Sequence, residues 1–130
     1  MANILIIDDE NTIGALISRV IEKMGHSAAY ADTLKAGMQA AKEGDFDIIF
    51  LDVQLPDGNG LQQLPVLRAI SSAPEVIIIT GFANSEGTEE ALSRDAWDYI
   101  KKPVSVMEIT RSIQSALQSR RDRNAGRPVS

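Results

Sequence analysis

The 130-residue sequence contains no cysteine. That excludes disulfides and thiolate-held metals and suits a reducing compartment, so the cytoplasm is the expected location. Nor does it carry an excess of basic charge: 13 lysines and arginines stand against 18 aspartates and glutamates, a net charge of −5. A general nucleic-acid binder neutralises phosphates with a basic surface, so direct nucleic-acid binding is not expected. No basic segment precedes the first apolar run, and Asp8 and Asp9 cut that run short. Neither a signal peptide nor a membrane span is therefore expected. Internal repeats are absent. What is present is the composition of one globular domain, 44% hydrophobic and 24% charged, long enough to build a core.

The segment Phe46-Asp47-Ile48-Ile49-Phe50-Leu51-Asp52 has buried-strand character and ends in a carboxylate, followed by turn residues from Gln54 to Gly60. Ile4 to Ile7 reads as a second buried strand running into Asp8, Asp9 and Glu10. Ile13, Leu16, Ile17, Val20, Ile21 and Met24 follow the helical period, with Gly25 to end the helix. Ser27 to Ala31 suggests a short edge strand. Asp32 then caps a helix in which Leu34, Met38 and Ala41 face inward, ending near Gly44. Leu61, Leu64, Leu67 and Ile70 predict a third helix, with Pro65 tolerable in its first turn.

Glu75 to Thr80 is a buried strand ending in a hydroxyl, and Trp97 to Lys101 a further strand. Between them Asn84 to Arg94 makes a poor helix, weakened by Gly87 and by few apolar residues. Ser105 and Glu108 form a capping box for a last helix through Val106, Ile109, Ile113, Ala116 and Leu117. Five strands alternating with five helices predict an α/β fold, a parallel sheet with helices on both faces. The apolar period is lost beyond Gln118. Residues 1–118 therefore read as the domain, and 119–130, with four arginines, as a linker or disordered tail.

In a parallel sheet the C-terminal strand ends share one edge. Asp8, Asp9, Asp52, Thr80 and the lysines before Pro103 can therefore meet there. Clustered carboxylates repel unless a cation neutralises them, and an all-oxygen set with room for water suits Mg²⁺. Phosphoryl transfer needs an acceptor oxygen, a metal and donors for the phosphoryl charge. Asp52, Thr80 and Lys102 fill the non-metal roles. Blander readings exist for each residue. Asp8 and Asp9 suit helix capping, Thr80 an ordinary strand residue, and Lys101 a solvated lysine. His26 suits a surface turn and Trp97 helix packing. Asp47 enters its strand at the wrong end, and turn chemistry explains Asp57 between Pro56 and Gly58.

Asp8-Asp9, Asp52 with Leu55-Pro56 and Gly60, Thr80-Gly81, and Tyr99-Ile100-Lys101-Lys102-Pro103 occur in that order on the expected strand ends. In these residues the chain resembles the receiver domain of two-component response regulators, over residues 2–118. The strand around Trp97 resembles receivers of the enhancer-binding (NtrC-like) activator group. The resemblance implies a flavodoxin-like (βα)5 fold with five-stranded order 2-1-3-4-5. It implies that Asp52 takes a phosphoryl group from a sensor histidine kinase, so that the domain is a signalling switch and not an enzyme, although it assists its own phosphorylation and dephosphorylation. It further implies that Asp9, Asp52 and the Gln54 backbone carbonyl bind Mg²⁺, with Asp8 acting through water. Thr80 and Lys102 would contact the phosphoryl group, Tyr99 would be the switch aromatic, and the Lys102–Pro103 bond would be cis.

Two departures from common residues bear on phosphate lifetime. Gln54 and Phe82 flank the approach of hydrolytic water, and the ring of Phe82 should prolong the phosphoryl group. Asp95 stands where family members usually carry glycine. Homodimerisation through the fourth helix, fifth strand and fifth helix is a family expectation, as is an effector domain, absent from this chain, that controls transcription. Alternatives are a degenerate receiver acting as a scaffold and a small Mg²⁺-dependent aspartyl phosphohydrolase. The latter would want an Asp-x-Asp pattern that Asp8-Asp9-Glu10-Asn11 lacks.

Overall fold

The computed structural model describes residues 1–81 and 96–124. Phe82, the expected Asn84–Arg94 helix with Gly87, and Asp95 lie outside them. The order of elements is β1 (Asn3–Ile7), α1 (Asn11–Lys23), β2 (Ser27–Ala31), α2 (Leu34–Glu43) and β3 (Ile48–Asp52). A small hairpin of β4 (Gln54–Leu55) and β5 (Gly58–Asn59) follows. A 3-10 turn (Gly60–Gln63) leads into α3 (Leu64–Arg68), then β6 (Glu75–Thr80), β7 (Asp98–Lys101) and α4 (Val106–Asn124). The main sheet is parallel, ordered β2-β1-β3-β6-β7, which among its five strands is the expected 2-1-3-4-5.

Side chains alternate across a strand, so each strand feeds two cores. Ile4, Ile6, Ile48, Phe50, Ile77, Ile79 and Ile100 pack with Ile17, Val20 and Ile21 of α1 and Ile109, Ile113 and Ala116 of α4. Leu5, Ile7, Ile49, Leu51, Val76 and Ile78 pack on the other face with α2 and α3. Strands covered on both faces read as unbroken apolar runs, as β1, β3 and β6 do.

Several local expectations change. Thr33, not Asp32, is the N-cap of α2: its side chain accepts from Ala36 N. The carboxylate of Asp57 completes that end, accepting from Leu34 N at 2.8 Å and Lys35 N at 2.9 Å. Asp57 is thus more than a turn residue; it ties the β4–β5 hairpin to α2. In the last helix Ile109, Ile113 and Ala116 are buried, whereas Val106 is exposed. The last helix runs past Gln118 to Asn124 because ion pairs replace apolar anchors. Arg120 meets Asp47 at 3.3 Å and the carbonyls of Ser72 and Ala73, and Arg123 meets the buried Glu75 at 3.0 Å. Gly25, at φ +85°, closes α1 as expected, and Pro65 sits in the first turn of α3. No helix among the described residues is long and apolar enough to cross a membrane.

Candidate functional site

Asp8 lies one residue beyond β1, Asp52 is the last residue of β3, Thr80 the last of β6, and Lys102 follows β7. The strands are in register there, with Asp52 opposite Ile79 and Thr80 opposite Lys101. Period-two alternation puts Asp52 on the face of Phe50, toward α1 and α4. It puts Thr80 on the face of Ile78, which Tyr99 also packs against. Asp52 and the hydroxyl of Thr80 therefore approach the edge from opposite faces. Gly60 lets the chain pass close behind Asp52, since a Cβ there would collide with the Asp52 carbonyl oxygen. Its N–H donates to Val53 O at 2.8 Å.

Asp8 and Asp52 are buried and Asp9 is exposed. Each brings a carboxylate oxygen to a group whose members all lie within 4.8 Å of one another. The capping reading of these acids does not hold: the N-cap of α1 is Glu10, without a side-chain capping bond, and Asp8 accepts from Glu10 N at 2.8 Å. Lys102 Nζ reaches Glu10 at 2.6 Å, Asp52 Oδ2 at 3.1 Å and Asp8 Oδ2 at 3.2 Å. The last is an ion pair without hydrogen-bond geometry, so Asp8 Oδ2 is a buried oxygen with no hydrogen-bond partner. A hard divalent cation fits this set: the donors are all oxygen, four carboxylates face one ammonium, and one buried lone-pair site is unused. Gln54 N donates to Asp52 Oδ1 at 3.2 Å, and Gln54 with Asp9, Leu55 and Asn59 lines a cleft of about 470 Å³ beside the acids.

Burial, and then the neighbouring Asp8 carboxylate, push the Asp52 carboxyl up to about 6, against the opposing charge and hydrogen bond of Lys102. Asp8 is also raised, chiefly by burial, with Glu10 N–H and Lys102 opposing. Burial pulls the Lys102 ammonium down, but its bonds to Glu10 and Asp52 outweigh that and the net shift is upward.

Asp8, Asp9, Asp52, Gln54 and Lys102 thus come together as the sequence suggests, and the Lys102–Pro103 bond is cis. Tyr99 is half-buried and Lys101 exposed. Asp47 sits at the opposite sheet edge, accepting from Asn3 N. His26 accepts from Ala2 N at 3.0 Å, and Trp97 donates to Ser115 Oγ on α4. Three participants were not assigned roles from sequence. Glu10 is the third acceptor of Lys102, and its place directly after Asp9 was the available signal. Asp57 braces the loop bearing Gln54. Tyr30 donates its hydroxyl to Asp8 O at 2.6 Å and lies over Gly14, where a Cβ would meet its ring. Partners so far apart in sequence leave no local pattern for Asp57 or Tyr30.

The family model of the response regulator receiver domain matches residues 4–114. The KDP operon transcriptional regulatory protein KdpE of Escherichia coli (strain K12) is 33% identical over 118 residues, 91% of this chain and 52% of KdpE. The chain thus spans about half the length of that relative. Among solved structures, a CheY-like receiver domain protein of Methanospirillum hungatei JF-1 superposes with a TM-score of 0.88 at 26% identity, covering 95% of this chain and 98% of that one. The beryllofluoride-activated NtrC4 receiver domain dimer gives 0.85 at 31% identity, covering 92% and 98%. With its fold, its edge of acids and lysine and these likenesses, the chain belongs to the response regulator receiver domain family.

Proposed function

We propose that the domain is the phosphoacceptor of a two-component pathway, with Asp52 the residue modified. A carboxylate oxygen of Asp52 attacks the phosphorus of a phosphohistidine on a sensor histidine kinase. The O–P bond forms as the N–P bond breaks, and the imidazole keeps the electron pair. The observation that carries this reading is Asp52 itself, a nearly buried strand-end carboxylate between Lys102 and Gln54 N–H with Asp8 and Asp9 beside it. Asp9, Asp52 and the Gln54 carbonyl would hold Mg²⁺ directly, and Asp8 largely through water. Bound there, the ion offsets the clustered carboxylates and the charge on the phosphoryl oxygens. Thr80 and Lys102 would bond those oxygens.

Thr80 and Tyr99 share a sheet face, which supports a switch in which movement of one repacks the other. Gln54 and Phe82 would set the phosphate lifetime, so Phe82→Ala should shorten it. In the cell the domain would work in the cytoplasm and control transcription through an effector domain. It would dimerise through the Asn84–Arg94 segment, β7 and α4. Uptake of one phosphate from acetyl phosphate, dependent on Mg²⁺ and abolished in Asp52→Asn, is the expected result. No uptake would favour a scaffold, and repeated turnover a phosphohydrolase.

A further inference from the structure

An ammonium has three N–H groups and no fourth donor. In Lys102 all three have a carboxylate in reach: Glu10 Oε1 at 2.6 Å, Asp52 Oδ2 at 3.1 Å and Asp8 Oδ1 at 3.5 Å. A phosphoryl group on Asp52 would replace that carboxylate by several charged acceptor oxygens, so the N–H bonded to Asp52 passes to one of them, and Lys102 can give a second only by releasing Asp8 or Glu10. The two differ in what release costs. Withdrawing the ammonium from Asp8 leaves a fully buried charge without its counter-charge. The Glu10 side chain is 51% exposed, so water replaces the lysine there at low cost. It also makes no capping bond to α1 that would keep it in place.

We infer that Glu10 is a positioning residue that parks Lys102: it holds the ammonium in the resting site and surrenders it to the phosphoryl group. The inference rests on Asp52 being the phosphoacceptor. In Glu10→Gln the neutral amide oxygen is a weaker acceptor, and Lys102 is freed more readily. Phosphorylation by acetyl phosphate should quicken roughly two- to fivefold, the scale of a partly exposed charged bond. Glu10→Asp separates contact from charge. It keeps the negative charge but is one methylene shorter, so it should behave like Gln, whereas simple repulsion of the anionic donor predicts wild-type behaviour.

A second readout needs neither phosphate nor metal: by side-chain NMR, the Lys102 ammonium should exchange faster with water in both variants. The inference is overturned if both variants are phosphorylated no faster than wild type, or if only Glu10→Gln is fast. An unchanged Lys102 signal would overturn it too. Asp52 stands as the acceptor in each of those cases. A wild type that takes no phosphate would overturn the functional reading, and this inference with it.

Discussion

Replacing Asp52 by Asn should stabilise the metal-free domain while abolishing its proposed chemistry. Asn stands in for the protonated carboxyl. Asp52 is held at about 6 against an ordinary 3.8, first by burial and then by Asp8. At about 1.4 kcal/mol per pH unit, ionising it in the folded state costs as much as about 3 kcal/mol. The folded-state value lies above the unfolded one, so the relative stabilisation is complete below pH 3.8 and lost as pH rises through 6. Urea unfolding in EDTA should therefore find Asp52→Asn more stable by up to about 3 kcal/mol at pH 7.5. The gain should shrink to about half that at pH 5 and fall below about 1 kcal/mol at pH 4. Mg²⁺ should close the gap from the other side, adding about 2.7 kcal/mol to the wild type at a hundredfold excess over its Kd. A variant no more stable than wild type at pH 7.5 without metal, or a gain independent of pH, would refute the reasoning.

His26, lowered by burial and then by the nearby N-terminal amine, accepts from Ala2 N as the neutral imidazole. Its contribution to stability should be complete above pH 6.5 and be lost as pH falls through the lower folded-state value. The difference between wild type and His26→Gln, followed by urea unfolding, should show that slope. Gly60→Ala should cost roughly 1–3 kcal/mol by driving a Cβ against the Asp52 carbonyl, and phosphate uptake should fall with it. Arg68 and Arg123 share one oxygen of the buried Glu75, at 2.6 and 3.0 Å. Either single Ala variant leaves that carboxylate a partner, so the double variant should cost clearly more than the sum of the singles, toward about 3 kcal/mol. Equal and additive losses in a denaturation cycle would contradict the shared-anchor picture.

The sequence by itself determined the five strands of the main sheet, α1 and the residues that carry charge. β1, β3 and β6 are apolar on both faces, and α1 keeps an unbroken helical period. Both signals come from burial, so they are written in which residues are apolar. Asp8, Asp9, Asp52, Thr80 and Lys102 were legible for a related reason: each ends or follows such a run, and parallel strands share their C-terminal edge. The tertiary structure decided what depends on contacts distant along the chain. Asp57 reaches back to the start of α2, and Tyr30 crosses from an edge strand to the Asp8 carbonyl. Arg120 and Arg123 hold two helical turns that lack an apolar stripe. It also decided the faces. Asp52 and Thr80 end neighbouring strands one residue out of register, so Asp52 stands on the α1 side and Thr80 with Tyr99 on the side of α2 and α3. Alternation is local, but which helices cover which face is set only when the sheet closes in the order β2-β1-β3-β6-β7.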